Sequence, residues 1–200
     1  MTTNPAPPVI TGIRPVMVAL ALPLVATGAV VAAVAAQAFA STVAAIGLTA
    51  DDGVLPSDGR TTVHDVGQPA IANLDPDLLA AVQRAADDAA ADGVDVHVTS
   101  GWRSPELQAQ LVRDAVADYG SEAEAARWVA PPHASAHVSG DAIDIGDFDA
   151  YYWLGFHGAA YGLCPVYANE PWHFELRPDA LSQGCPQMYA DPTEDPRLQS

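Results

Sequence analysis

Apolar and polar positions divide the chain into two unequal parts. Between Pro15 and Ala50 no residue is charged, and Ala, Val, Leu and Ile dominate. A helix of ~20 such residues spans the ~30 Å hydrocarbon core of a membrane. The pattern therefore predicts an N-terminal hydrophobic helix within residues 1–50. Arg14 is the only basic residue before the run, which favours an N-terminus held on the inside.

A second interpretation of this segment is a signal peptide that is removed after export. Residues 38–41 read AFAS and resemble a small-residue cleavage site. The apolar run is much longer than the ~7–15 residues of a typical signal core, which favours a retained membrane anchor. Both interpretations place the rest of the chain outside the cytoplasm, either anchored to the membrane or secreted.

Beyond the apolar run, helical spacing indicates three helices. Residues 51–72 contain Gly, Asp and Pro and are predicted to be a linker. Residues 75–93 and 104–120 each begin with a polar cap followed by proline and end at glycine, which predicts two helices. Residues 121–130 predict a third, short helix that ends before Pro131.

Alternation of apolar residues predicts several short strands. In residues 94–100 the valines share one face, which leaves His97 on the other. Two more strands are predicted around residues 163–167 and 173–176, and a mixed aromatic helix near residues 149–162. Short helices and strands without a repeat indicate an α+β fold, with a small, mostly antiparallel sheet and flanking helices.

These patterns predict a folded domain over residues 73–186 and an irregular, proline-rich tail over residues 187–200. The formal net charge of −17 argues against nucleic acid and against anionic lipid as partners. The two cysteines, Cys164 and Cys185, are expected to pair in an oxidising compartment. Two unpaired buried thiols are the alternative, since the spacing fits neither a CxxC redox motif nor a zinc ribbon.

The stretch HASAHVSGDAIDIG, residues 133–146, carries the first candidate chemistry. Its strand places Asp144 on one face and the two isoleucines on the core face. His137 precedes it, with Gly140 available to turn the chain between them. Imidazole and carboxylate are both suitable Zn²⁺ ligands. Prolines before the stretch and the glycine within it argue against a helix around His137, and His133 is interpreted as a bystander.

A third ligand and a base are offered by the stretch NEPWHFEL. His173 begins an apolar strand, and Pro171 favours a turn that brings Glu170 toward the same centre. Three protein ligands with an open position are typical of a catalytic zinc site. On spacing alone, an accidental pattern of unrelated polar residues is the favoured explanation.

Three stretches, in this order, resemble motifs of the zinc D-alanyl-D-alanine carboxypeptidase and dipeptidase family. They are SGWRSPELQ at residues 100–108, SAHVSGDAID at 135–144 and EPWHF at 170–174. The resemblance covers about residues 74–176. It implies a fold related to the lysostaphin-type peptidases and the hedgehog signalling domain.

The resemblance also implies roles for individual residues. Zinc would be bound by His137, Asp144 and His173, with Glu170 as the catalytic base. Arg103 would bind substrate and stabilise the developing oxyanion, a role that suits a fixed guanidinium fork.

Two further residues, Ser135 and Gln108, complete the implied substrate-binding set. Ser135 would contact substrate near the metal, and Gln108 would brace the loop that carries the arginine. The family often has a basic or aromatic pair after its last histidine, whereas this chain has Phe174 and Glu175. We expect Glu175 and Asp141 to make the rim of the pocket acidic.

The function implied by the resemblance is removal of the terminal D-alanine from peptidoglycan stem peptides. Alternatives within the family are a D,D-dipeptidase and an endopeptidase that cuts the stem or the crosslink. A non-catalytic, zinc-containing wall-binding module is the alternative from another class. That module would be expected to lose the base or the arginine, and this chain has both Glu170 and Arg103.

Overall fold

The structure of the protein is a computed structural model, and it describes residues 47–199. The predicted N-terminal membrane or signal helix lies outside these residues, except for residues 47–50. Across residues 47–199, no helix is both long enough and apolar enough to cross a membrane.

Short helices and strands follow one another along the described residues. The α-helices are α1 (Pro69–Ala72), α2 (Pro76–Ala91), α3 (Pro105–Tyr119), α4 (Glu122–Ala125), α5 (Ala136–Ser139), α6 (Phe148–His157) and α7 (Ala180–Gln183). The strands are β1 (Val98–Ser100), β2 (Ala142–Ile145), β3 (Leu163–Pro165) and β4 (His173–Leu176). The 3₁₀ turns are Ala50–Asp52, Gly158–Tyr161, Pro192–Glu194 and Pro196–Leu198.

The two long helices begin where the sequence places a polar cap before proline. Asp75 accepts hydrogen bonds from two backbone N–H groups in the first turn of α2, at 2.9 and 3.0 Å. Ser104 accepts one from the N–H of Leu107 in α3, at 3.1 Å. Proline suits the next position because it has no N–H that would be left unpaired. The predicted helices over residues 75–93 and 104–120 are confirmed.

The four strands form one antiparallel sheet in the order β1-β2-β4-β3. In the central pair, Asp144 of β2 lies opposite His173 of β4, and Ile143 lies opposite Phe174. On the other side of β2, Asp144 lies opposite Ser100 of β1. Since successive side chains of a strand alternate between faces, this register separates a polar face from an apolar one. The α+β sheet expected from the sequence is confirmed.

The apolar face of the sheet packs against α2. Ile143, Ile145 and Phe174 from the two central strands are essentially inaccessible to solvent. They share one core cluster with the buried stripe of α2, whose members recur at helical spacing. The stripe consists of Leu78, Ala81, Val82, Ala85, Ala86 and Ala89. The core therefore packs against the apolar face of β2 and β4 and leaves their polar face, which carries Asp144 and His173, facing away from it.

Two segments are more ordered than the sequence suggested. Residues 51–72, expected to be a linker, contribute Val63 and Ile71 to the core, and both side chains are fully buried. The region around His137, expected to be non-helical, contains the single helical turn α5. That turn starts after the prolines and ends at Gly140, whose φ of 83° puts it in the left-handed region. A single helical turn fits between the prolines and Gly140, so the prediction that this region contains no helix was wrong.

Cys164 of β3 and Cys185, just after α7, form the expected disulfide. The bond closes a loop with a sequence separation of 21 residues. Closure of a loop of that length removes unfolded-state entropy worth about 3 kcal/mol in the chain-entropy model. Reduction should therefore lower the free energy of unfolding by about that amount, measured by urea denaturation of the oxidised and reduced protein. The double variant C164S/C185S should match the reduced protein; equal stability of the oxidised and reduced forms would contradict the prediction.

Candidate metal centre and its cavity

The sheet register and one helical turn bring three potential metal ligands together. Asp144 and His173 face each other across β2 and β4, and α5 places His137 above them. The Nε2 atom of His137 lies 3.3 Å from Oδ2 of Asp144, and the Nδ1 atom of His173 lies 3.1 Å from Oδ1. All three residues are buried, and their ligand atoms lie within 4.8 Å of one another.

The geometry of this cluster fits a single small cation. Two ligands that each lie about 2.1 Å from a tetrahedral ion are separated by about 3.4 Å. The two nitrogen–oxygen distances across Asp144 are close to that value. Two imidazoles and one carboxylate are also a ligand set that Zn²⁺ prefers, with a fourth position left for a substrate. The donor atoms present therefore fit zinc.

The charge states of two ligands also suit a metal. Burial and the nearby Arg103 charge lower the pKa of His137, which keeps its imidazole neutral. Burial opposes ionisation of Asp144, but His137, His173 and Arg103 together hold its pKa well below the usual range. A neutral imidazole and an ionised carboxylate are the metal-binding forms of these side chains.

Both histidines are oriented by a partner at the ring nitrogen that faces away from the centre. Nδ1–H of His137 donates to the backbone carbonyl of Gly101 at 2.8 Å, which leaves Nε2 to face Asp144. Nε2 of His173 lies 3.4 Å from Oε1 of Glu175, which leaves Nδ1 to face Asp144. Such outer contacts set the tautomer and ring orientation of metal-binding histidines.

The carboxylates of Asp144 and Glu175 favour the protonated form of His173. Burial by itself lowers the pKa of this histidine, but the hydrogen bonds to Asp144 and Glu175 outweigh burial and raise the pKa to about 9. Because a metal binds the deprotonated nitrogen, metal binding at Nδ1 releases this proton.

Glu170 lines the same cavity as the three ligands. A backbone hydrogen bond of 3.0 Å from the N–H of His173 to the carbonyl of Glu170 closes a tight turn through Pro171. This turn places Glu170, the candidate base, beside the start of β4, as the position of Pro171 suggested. Burial raises the pKa of the Glu170 carboxyl to about 7 despite the opposing effect of His173. A carboxylate poised near neutrality is suited to proton transfer.

Arg103 is fixed by three side chains at once. Its Nε donates to Ser100 Oγ at 2.7 Å, Nη1 to Gln108 Oε1 at 3.0 Å and Nη2 to Asp144 Oδ2 at 2.9 Å. The guanidinium has five N–H donors, so these bonds leave two for a substrate oxygen. Gln108 in turn donates from Nε2 to the carbonyl of Ala130 at 2.7 Å. Gln108 therefore braces the arginine, as expected from its place in α3.

The cluster opens into a cavity of about 210 Å³. Ser135, the residue before α5, lines this cavity together with Trp128 and Trp172. His133 does not line it and is exposed in the turn before α5. The structure thus brings together the metal, base, arginine and serine candidates named from the sequence, and the assigned roles stay predictions.

Glu175 lies elsewhere than the sequence suggested. It does not form an acidic rim, because its side chain is 2% exposed and sits behind His173. Asp141, the other expected rim residue, is exposed and accepts a hydrogen bond from Ser139. The period of two in β4 could have indicated the position of Glu175, since residues two apart share a face of a strand. Its partner Arg197, in the tail, had no such local signal.

A cation-sized His/Asp/His cluster, a buried carboxylate and a fixed guanidinium around one cavity are the parts of a metal-dependent hydrolase site. Comparison with known proteins gives the family. A family model named VanY, described as D-alanyl-D-alanine carboxypeptidase, matches residues 71–161. Over these residues the chain is similar to that family, and the match includes the first two of the three motifs, at residues 100–108 and 135–144, in agreement with the resemblance seen in the sequence.

Individual relatives agree with this assignment. A D-alanyl-D-alanine carboxypeptidase of Enterococcus faecalis (strain ATCC 700802 / V583) is 34% identical over 113 residues, a match covering 44% of this chain and 42% of the relative. The chain thus matches less than half the length of that curated protein.

Two solved structures share the fold. A mutant of the vancomycin resistance D,D-pentapeptidase VanY from a VanB-type cassette, in complex with Zn(II), has a TM-score of 0.51 and 27% identity, covering 61% of this chain and 82% of its own. VanYB in complex with D-alanine-D-alanine has a TM-score of 0.51 and 29% identity, covering 56% and 78%.

Proposed function

We propose that this domain is a zinc-dependent D-alanyl-D-alanine carboxypeptidase that removes the terminal D-alanine from peptidoglycan stem peptides. The observation that carries the proposal is the convergence of His137, Asp144 and His173 in the cavity that also holds Glu170 and Arg103. The relatives support it, since one was solved with Zn(II) and another with D-alanine-D-alanine.

The ligand set proposed for zinc is Nε2 of His137, a carboxylate oxygen of Asp144 and Nδ1 of His173. Bound there, zinc supplies a Lewis acid for the carbonyl of the scissile amide. The chain's own residues supply proton transfer, orientation and charge.

Glu170 is the residue proposed to move protons. Its carboxylate takes a proton from the attacking water and later delivers it to the nitrogen of the departing D-alanine. The same group can act in both directions because its raised pKa, about 7, makes the two protonation states close in free energy.

Arg103 is proposed to stabilise the negative charge that develops on the carbonyl oxygen. Its guanidinium is held in place by Ser100, Gln108 and Asp144 before substrate arrives, so little reorganisation accompanies the reaction. Ser135 is proposed to contact the peptide from the wall of the cavity.

We also propose that the domain works outside the cytoplasm, held at the membrane by the N-terminal apolar segment or secreted after cleavage of that segment. The disulfide between Cys164 and Cys185 supports an oxidising compartment. Peptidoglycan stem peptides are available to an enzyme in that location.

The test uses the full chain, loaded with Zn²⁺ and incubated with a muropeptide that carries a pentapeptide stem. We expect mass spectrometry to detect free D-alanine and a tetrapeptide stem, with loss of the reaction on chelation and recovery on adding zinc. The H137A variant, which lacks a proposed ligand, should give no product. Release of the D-Ala-D-Ala dipeptide or cleavage of crosslinked dimers would instead identify a dipeptidase or an endopeptidase. Zinc binding without any hydrolysis would support a wall-binding module.

A further inference from the structure

The chain after the disulfide folds back over the site. We refer to residues 186–198 as the C-terminal clasp. Its first half runs beside the segment that follows β3, where the N–H of Tyr189 donates to the carbonyl of Val166 at 3.0 Å. The N–H of Ala168 donates to the carbonyl of Tyr189 at 2.8 Å. Together with Cys185, these bonds fix where the clasp starts.

The second half of the clasp ends in an ion-pair network around Arg197. Nη1 and Nη2 of Arg197 donate to the two carboxylate oxygens of Glu175 at 2.7 and 3.2 Å. The same guanidinium is held by Asp195, which is fully buried and also accepts a hydrogen bond from Tyr167 at 3.0 Å. Arg177 gives Glu175 a second cation at 2.9 Å.

Glu175 needs this network because its carboxylate is buried, on the same face of β4 as His173. An ionised carboxyl in a buried position is strongly unfavourable unless it is paired and hydrogen-bonded. Two arginines meet that need, and Arg197 does so with both of its terminal nitrogens, which restricts the rotation of the carboxylate. The position of Glu175 therefore depends on a residue of the clasp.

The carboxylate oxygen of Glu175 that accepts from Nη2 of Arg197 also faces a proposed metal ligand. Its Oε1 lies 3.4 Å from Nε2 of His173. When Nδ1 of an imidazole binds a metal, the ring proton must reside on Nε2, and a carboxylate beside Nε2 favours that tautomer. The clasp thus reaches the metal centre through Glu175.

The clasp also forms part of the cavity wall. Pro192 and Leu198 line the cavity, as does Tyr167, whose ring centroid lies 5.2 Å from that of His173. The residues matched by the family model end at position 161, well before the clasp. The predicted irregular tail is therefore part of the site.

We propose that Glu175 and Arg197 are positioning residues for the metal centre, with the clasp holding Glu175 against His173 so that Nδ1 points at the metal. This inference rests on the metal site of the proposed function. Neither residue contacts the substrate or the reacting atoms in this role. Its consequence is that metal affinity depends on a residue at the far end of the chain.

The test measures Zn²⁺ affinity by chelator competition on the full-length apo protein, independently of hydrolysis. The variants are E175Q, R197M and their combination, with R60M as the matched control because Arg60 forms an exposed pair with Asp58. Loss of an outer partner of a ligand typically weakens metal binding about 10–100-fold, so we expect a loss of about tenfold in E175Q and in R197M. The combination should add little, because Arg197 acts through Glu175.

Two further measurements separate positioning from general destabilisation. Each apo variant must unfold above the assay temperature, and R197K, which keeps a cation near Glu175, should recover part of the lost affinity. The visible absorption of bound Co²⁺ should change in E175Q and R197M and stay unchanged in R60M, because it reports the geometry of the ligands.

The outcomes distinguish this inference from the proposed function. Equal zinc affinities in the wild type, E175Q and R197M would overturn the inference and leave the carboxypeptidase proposal intact. If the losses of zinc affinity in E175Q and R197M add up in the combined variant, Arg197 does not act through Glu175. A wild-type protein that binds no zinc would overturn both the proposed function and the inference.

Discussion

Replacing Glu170 by glutamine should abolish most of the hydrolysis of the pentapeptide stem while the protein keeps its zinc. Glutamine has nearly the same shape but cannot accept the proton of the attacking water, and general acid–base groups typically contribute about 10²–10⁴-fold. We therefore expect kcat to fall by that factor. The measurement is D-alanine release under saturating substrate, with the zinc content of E170Q determined in parallel.

The control for this prediction is E122Q, which makes the same chemical change at an exposed position in the first turn of α4. Its rate should equal that of the wild type. Full activity in E170Q would remove Glu170 from its proposed role. A loss of zinc in E170Q would mean that this residue supports the metal centre instead of the proton transfer.

Replacing Arg103 by lysine should lower kcat by about 10²–10³-fold, the loss typical for one preorganised donor to an oxyanion. The charge is retained in this variant, but one ammonium group cannot reproduce the bonds that Arg103 makes to Ser100, Gln108 and Asp144. The planar fork would be lost, and with it the fixed direction of the remaining N–H groups. Steady-state kinetics on the pentapeptide stem, with kcat and KM determined separately, measures the effect.

R113K is the matched control, because Arg113 lies in α3, the helix that follows the loop of Arg103, and its guanidinium bonds to Gln110. Its kinetic constants should equal those of the wild type. A rise in KM of R103K with kcat unchanged would show that Arg103 binds the ground state and the transition state equally. That result would contradict its proposed role in stabilising the oxyanion.

Local signals explain why much of this fold could be predicted. An N-cap residue bonds to the first turn of the helix that it begins. Alternating apolar and polar residues show which face of a strand is buried. For this reason Asp75 and Ser104 indicated the starts of α2 and α3, and Ile143 and Ile145 indicated the buried face of β2. The three motifs then named every residue that lies around the cavity with a proposed chemical role.

The errors have a common physical origin. Val63 and Ile71 lie in a stretch rich in turn residues, and only packing against the core shows that they are buried. Glu175 looked like a surface acid because charged residues are seldom fully buried unless paired. Its pair, Arg197, lies in a proline-rich tail that has no periodic pattern from which a contact could be inferred.

The sequence by itself determined the two long helices α2 and α3, the strands, the face of β2 on which Asp144 lies and the residue types suited to zinc. These depend on interactions between residues a few positions apart, which leave a pattern in the chain. Only the tertiary structure decided that Asp144 lies opposite His173, that Arg103 is held by Gln108 and that the clasp returns to Glu175. Those contacts join distant parts of the chain, and their partners are selected by the packing of the whole domain.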